Sequence, residues 1–225
     1  MIKRIFNWLG REFVELSAEA ERAKDATVEA RDLFARFERE LGTLGLSLDH
    51  TVRSRLWGRD RKSRDEGSAE RVRILSGRAR SASSSFIAPE RFDSGGQVAL
   101  DLLAMRPTGT CEKILKEYDP PIVPLRYLVY DSIVVLSGVT AVLPTLEDQM
   151  ANILPRIAGS LKEAGASWDR VAKLSFYLHR SQKIEKLRGV FRKVVSAEIP
   201  QMEYAFVDGY SAEGKLIEIE TTAVV

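Results

Sequence analysis

Apolar residues recur along this chain with two spacings, one typical of helices and one typical of strands. In two segments they follow the three-and-four spacing of a single helix face. These positions are Leu33, Phe34, Phe37, Leu41 and Leu44 in the first segment and Leu146, Met150, Ile153, Ile157 and Leu161 in the second. A strand pattern follows the second segment, where Leu174, Phe176 and Leu178 alternate with polar neighbours. The pattern predicts amphipathic helices combined with half-buried strands.

The two helical segments belong to an internal repeat with an offset of 120 residues. The segment LGTLGLSLDHTVRSRLW (41–57) aligns with LKEAGASWDRVAKLSFY (161–177), and FVELSA (13–18) aligns with IVVLSG (133–138). GGQVALD (95–101) also aligns with GKLIEIE (214–220) after a shift of one residue. Separate blocks at one constant offset indicate two copies of one unit. We therefore predict domains at 1–105 and 121–225, joined by a Pro- and Gly-containing linker at 106–120.

Each copy is predicted to have the element order β-β-α-β-α-β-β, which gives an α+β fold with a mixed sheet and two helices on one face. Two places fit this order poorly. Residues 2–13 have helical spacing although the repeat predicts a strand there. The second helix of the first copy has a weak apolar face, and we expect Gly67 to break it.

Composition restricts the class of protein and the kinds of site. The 225 residues are 44% hydrophobic and 29% charged, which is typical of a globular chain. No apolar run reaches the ~18 residues of a membrane span, and charged residues interrupt the N-terminus before a signal sequence could form, so we expect a cytoplasmic protein. A single cysteine, Cys111, and two histidines, His50 and His179, exclude a multi-cysteine metal site and a His-rich zinc site.

Charge is balanced overall, with a net charge of +2, but it is uneven along the chain. The segment from Arg53 to Arg80 holds ten basic and four acidic residues. This excess could attract nucleic acid or an acidic ligand. Aromatic residues do not alternate with the basic ones as they do on base-stacking surfaces, so a solvated helix-and-loop face is the better interpretation, and a nucleic-acid partner is not expected.

Three blocks of the second copy, taken in order, resemble the RidA/YjgF (L-PSP) family. They are IVVLSG (133–138), DQMANILPRIAGSLKEAGASWDRVAKLSFYLHR (148–180) and KLIEIETTAV (215–224). Through the repeat, the resemblance identifies the chain as a tandem fusion of two RidA-like domains. It implies a chorismate-mutase-like fold, in which three domains close a barrel-like ring with ligand sites in the clefts between neighbours. It also implies hydrolysis of reactive enamines and imines without a metal or an organic cofactor.

The resemblance assigns site residues unevenly to the two copies. The family pairs an arginine, which binds the substrate carboxylate, with a glutamate eight positions further on. In the first copy Arg91 occupies the arginine position, but Ala99 replaces the glutamate. In the second copy Glu218 occupies the glutamate position, but Tyr210 replaces the arginine. A cleft could combine groups from both copies, although in the family both residues come from one domain.

The second copy also retains the Ser-Gly pair of the family's first motif, at Ser137 and Gly138. We therefore predict Glu218 and Tyr210 as catalytic acid–base residues, Arg91, Ser137 and Gly138 as substrate-binding residues, and no metal ligands. The serine-rich run 81–85 is either polar cleft lining or plain loop.

Three functions remain open at this stage. The first is a small-molecule enzyme of the enamine/imine deaminase type, or a diverged hydrolase or lyase, acting on a carboxylated substrate in an inter-domain cleft. The second is a catalytically degenerate ligand-binding or assembly protein, and the third is an RNA-binding or ribonuclease role. Because the family's ring holds three domains, we expect a homotrimer whose six domains form two stacked rings.

Overall fold

The computed structural model describes residues 1–225 and divides them between two mixed β-sheets. The N-terminal copy contains β1 (Ile2–Trp8), β2 (Arg11–Glu19), α1 (Ala26–Thr43), β3 (Thr51–Gly58), α2 (Arg61–Ile74), β4 (Ala82–Ile87) and β5 (Val98–Arg106). The C-terminal copy contains β6 (Ile114–Lys116), β7 (Tyr127–Tyr130), β8 (Ile133–Thr140), α3 (Leu146–Glu163), β9 (Val171–His179), α4 (Ile184–Val194), β10 (Gln201–Val207) and β11 (Ile217–Val224).

The two sheets have the same topology. The strand order of the first sheet is β1-β2-β5-β3-β4. Read in the same direction, the order of the second sheet is β6-β7-β8-β11-β9-β10, in which the five strands listed from β7 to β10 correspond to the five strands of the first sheet. Only β3 with β4 and β9 with β10 pair in parallel, across the second helix of each copy. The predicted α+β fold with the order β-β-α-β-α-β-β in each copy is confirmed. The segment predicted as a linker, 106–120, contributes β6 as an additional edge strand of the second sheet.

The helical spacing of residues 2–13 is misleading, because this segment forms the hairpin of β1 and β2. Leu9 and Gly10 adopt positive φ angles of 52° and 73° at the turn. Ile2, Ile5 and Phe6 on β1 are exposed, so their spacing reflects no buried helix face.

Gly67 does not break α2, which runs unbroken through it. A Cβ atom at Gly67 would lie 2.9 Å from a methyl group of Leu56 on β3, so glycine allows the helix to lie close to the sheet. The apolar pattern of α2 is weak because its buried side contains Ser63, Glu70 and Arg71.

Each sheet packs against its two helices on one face and against the other copy on the opposite face. The helix-side cores include Leu16, Phe34, Phe37 and Leu100 in the first copy and Leu136, Ile153, Phe176 and Ile219 in the second. On the opposite faces, β4 lies against β8, and the Ser83 amide donates to Ser137 Oγ at 3.1 Å. We call this contact region between the two copies the domain seam. No helix of the fold is long and apolar enough to cross a membrane.

Candidate active site

Strand β11 presents two glutamates to the domain seam. Ile217 and Ile219 lie in the helix-side core, and because side chains alternate along a strand, Glu218 and Glu220 face the other copy. Both are buried, with 5% and 1% of their surfaces exposed. Their surroundings nevertheless give them opposite properties.

Glu220 is neutralised by two arginines of the other copy. Arg55 on β3 donates to both of its carboxylate oxygens, with Nε and Nη2 distances of 2.7–3.1 Å, and Arg53 Nη1 lies 2.8 Å away. Burial alone would raise the pKa of Glu220, but the two guanidinium groups outweigh it and hold the pKa at about 2. Glu220 therefore stays charged and links the two copies.

Glu218 is buried without an ion pair. Its carboxylate lies directly over Gly138 of β8, where a Cβ atom would come within 1.9 Å of Glu218 Oε1 and 2.6 Å of Ser84 Oγ. Burial raises the pKa of Glu218 to about 7, although Lys215 lowers it in part. A carboxyl group with this pKa can give or take a proton near neutral pH.

Positive groups surround Glu218 without pairing to it. Arg64 and Arg71 reach the domain seam from α2 of the other copy, and Lys215 precedes β11. Arg64 pairs with Asp65, and Lys215 Nζ donates to Ser211 Oγ at 2.5 Å. The site therefore combines a proton-exchanging carboxyl group with a positive potential that favours an anionic ligand.

Tyr210 is placed differently from the expectation of a catalytic acid. Its ring is enclosed at the domain seam beside Phe86 of β4, and its hydroxyl donates to the Tyr177 carbonyl at 2.9 Å. Burial raises the pKa of Tyr210 well above its ordinary value. The hydroxyl proton of Tyr210 is therefore engaged in a hydrogen bond to a backbone carbonyl.

Arg91 lies in the N-terminal copy and contacts other groups than those around Glu218. Its guanidinium pairs with Asp101 at 2.6 Å and stacks 4.4 Å from the Trp57 ring centre. Ser17 Oγ and Trp57 Nε1 donate to the same Asp101 carboxylate, at 2.5 and 2.7 Å. The structure therefore does not combine Arg91 with Glu218 in one cluster. The carboxylate that pairs with Arg91 is thus Asp101, which lies two positions beyond Ala99 on the same strand face. The sequence comparison considered only Ala99, the position of the family's glutamate, and therefore missed Asp101.

Ser137 and Gly138 lie at the domain seam in different ways. Ser137 is buried and its hydroxyl accepts the Ser83 amide, so it fixes the contact between β4 and β8. Gly138 provides the space that the Glu218 carboxylate occupies. Of the five predicted site residues, these two and Glu218 are therefore neighbours.

The basic segment and the serine run also turn toward the domain seam. Arg53, Arg71 and the serines 81–85 are buried, which places part of the positive charge inside the protein and not on a nucleic-acid-binding surface. The run lines the inter-copy contact as polar residues, one of the two interpretations that the sequence left open. No group of three or more His, Cys, Asp and Glu side chains is arranged to hold a metal ion.

A cavity of about 660 Å³ lies between the two copies next to Glu220. Its charged lining residues are paired with one another, as in Arg4 with Glu15 and Lys173 with Glu203.

Comparisons with known proteins agree with the two-copy architecture. A family model described as Endoribonuclease L-PSP matches residues 122–225. The sequence matches no curated protein significantly. The fold is similar to the crystal structure of a chorismatase, with 16% identity, coverage of 98% of this chain and 79% of that chain, and a TM-score of 0.69.

Single-domain structures match about half of the chain. A YjgF/YER057c/UK114 family protein from Mycobacterium tuberculosis is 23% identical, with coverage of 51% of this chain and 100% of that chain and a TM-score of 0.44. A YjgF family protein from Neisseria meningitidis is also 23% identical, with coverage of 50% and 94% and a TM-score of 0.44. The C-terminal copy, residues 122–225, matches the L-PSP family model, and the N-terminal copy repeats the same topology, so the chain has a two-copy arrangement of this fold.

Proposed function

We propose that the protein is a cofactor-free enzyme that hydrolyses a small carboxylated enamine or imine at the domain seam, with Glu218 as the acid–base group. The observation that carries this proposal is the Glu218 carboxyl group itself. It is buried between the two copies, lacks an ion pair and has a pKa of about 7 because of burial. Structural carboxylates of similar burial are normally paired, as Glu220 is.

The proposed reaction on 2-aminoacrylate uses one carboxyl group in both of its forms. Protonated Glu218 gives its proton to C3 of the enamine, which becomes the iminium ion. The Glu218 carboxylate then takes a proton from the water that adds to C2, giving a carbinolamine. Glu218 passes this proton to the amine nitrogen, the C–N bond breaks, and ammonia leaves. The hydroxyl proton returns to Glu218 as the carbonyl of pyruvate forms, so the group ends in its starting state.

The test is ammonia release from 2-iminopropionate generated in situ by an amino-acid oxidase. We expect the wild-type chain to accelerate release, and Glu218→Gln to reduce the acceleration by about 10²–10⁴-fold, the usual contribution of a general acid–base group. Glu213→Gln is the matched control, because Glu213 is exposed in the loop before β11 and should keep full activity. Full activity of Glu218→Gln would contradict the proposed role.

A second candidate reaction is suggested by the chorismatase whose two-domain fold covers 98% of this chain. Chorismate carries an enol ether of pyruvate, whose methylene carbon could accept a proton from Glu218 as the enamine does. Release of pyruvate from chorismate should therefore be measured with the same three proteins. No turnover of either substrate would favour a ligand-binding protein, and cleavage of RNA unaffected by Glu218→Gln would favour the ribonuclease alternative.

A further inference from the structure

We propose that Arg71 of the N-terminal copy binds the carboxylate of the substrate on which Glu218 acts. This inference rests on the proposed function and names the group that recognises the anionic part of the substrate. It assigns the two halves of one site to two different copies, with the acid–base group on β11 and the anion-binding group on α2.

Arg71 is a buried cation that makes no direct ion pair. Only 5% of the residue is exposed, and it forms no salt bridge. Two of its N–H groups donate to the Ser84 carbonyl and, at 2.8 Å, to Ser85 Oγ. Arg53, which is similarly buried, has Glu220 as its counter-ion.

An unpaired buried charge is costly, so proteins rarely retain one without a partner from outside the chain. Both hydrogen-bond acceptors of Arg71 are neutral groups of β4, and the Glu218 and Glu220 carboxylates act on it only at longer range, without a salt bridge. A ligand carboxylate would supply the opposite charge and two oxygen acceptors that match the planar guanidinium group.

The space next to Arg71 suits a small ligand. Arg71 lines a cavity of about 270 Å³, near the lower end of the range for small-molecule sites. Its walls include Ser81 and Ser83 from one copy and Val123 and Leu125 from the other. The cavity therefore opens at the domain seam and offers hydroxyl groups beside an apolar wall.

Ser84 lies between Arg71 and Glu218. Its carbonyl accepts from Arg71, while its hydroxyl lies beside the Glu218 carboxylate above Gly138 and contributes to lowering the pKa values of Glu218 and Glu220. Arg71 and Glu218 therefore approach the same serine from the two copies. The arginine that the C-terminal copy lacks at Tyr210 would then be supplied across the domain seam by a residue outside the family's motif.

The experiment is a calorimetric titration with pyruvate, which carries the carboxylate of the proposed product. Arg71→Gln removes the charge and keeps amide donors for Ser84 and Ser85, and we expect it to bind pyruvate about 10- to 100-fold more weakly. Arg71→Lys should be intermediate, because it keeps the charge but not the planar fork. Arg78→Gln is the matched control, since the Arg78 side chain is 91% exposed in the same basic segment, and it should bind as the wild type does.

Two further measurements separate anion binding from a structural role and from catalysis. Saturating pyruvate should raise the melting temperature of the wild type but not of Arg71→Gln, whereas methyl pyruvate should not distinguish the two proteins. Glu218→Gln should still bind pyruvate, so lost turnover with retained binding would leave the Arg71 assignment standing even if the proposed reaction failed. Equal pyruvate affinity of Arg71→Gln and the wild type, or no binding by the wild type, would overturn the proposal.

Discussion

Glu220→Gln tests the physical basis of the domain seam, because it removes one negative charge and little else. Wild-type Glu220 is almost fully buried and forms ion pairs with Arg53 and Arg55 of the other copy. The variant keeps the shape of the side chain but removes the ion-pair partner of the buried Arg53 and the partly buried Arg55. We therefore expect the variant to be less stable than the wild type at neutral pH.

The magnitude follows from two independent considerations. Removal of one partner from a buried ion pair costs about 3–5 kcal/mol. The pKa of Glu220 is lowered from 4.5 to about 2, and at ~1.4 kcal/mol per pKa unit this shift corresponds to about 3 kcal/mol of stability at neutral pH. Because the folded-state pKa is depressed, this stability is present above pH 4.5 and is lost as the pH falls toward 2. For a chain of this length the loss corresponds to roughly 10 °C in melting temperature.

The assay is urea unfolding of the two proteins at pH 7 and through the acidic range. Glu203→Gln is the matched control, because Glu203 forms a half-exposed pair with Lys173 in the same inter-copy cavity and should cost only about 0–1 kcal/mol. A loss for Glu220→Gln no larger than that of Glu203→Gln would refute the reasoning. So would an unchanged acid dependence of stability in Glu220→Gln.

Three further predictions concern the site and the assembly. Glu218→Gln should be more stable than the wild type by up to about 3 kcal/mol in urea unfolding at pH 8. Burial raises the pKa of Glu218 from 4.5 to about 7, so ionisation of the wild-type carboxyl group destabilises the fold as the pH rises through that range. The gain in stability should vanish below pH 4.5, and equal stability of the two proteins at pH 8 would contradict the prediction. Gly138→Ala should lose about 1–3 kcal/mol and most turnover, because its methyl group would collide with the Glu218 carboxylate. Gly42→Ala in α1, which has open space, is its control, and equal stability and turnover of the two variants would refute the contact. Light scattering should give about three times the 25.2 kDa of one chain if the expected homotrimer forms, and a monomer would exclude it.

The fold could be predicted from the sequence because its signals are local and repeated. Helix and strand spacings recur at the same offset, so the second copy, with its clearer pattern, identifies the elements of the first. Where the repeat and the local pattern disagreed, the repeat was right and the local spacing was misleading. Residues 2–13 have helical spacing, yet they form a hairpin because backbone pairing with β2 is available and no buried surface faces a helix there.

The site could be predicted only in part. Glu218 and Gly138 were found through short motifs, and they are neighbours because β11 and β8 pair in one sheet. Arg71 and Glu220 were not singled out, since their importance depends on contacts across the domain seam between residues far apart in sequence. The basic segment and the serine run were the available signals, but spacing alone cannot tell a buried polar face from a solvated one.

The most direct test of the central claim is the crystal structure of the intact chain with bound pyruvate. We expect its carboxylate on the Arg71 guanidinium and its carbonyl carbon directed toward Glu218. Pyruvate bound at Arg91 and Asp101, or only in the cavity beside Glu220, would contradict the assignment of Glu218 and Arg71 as the active site.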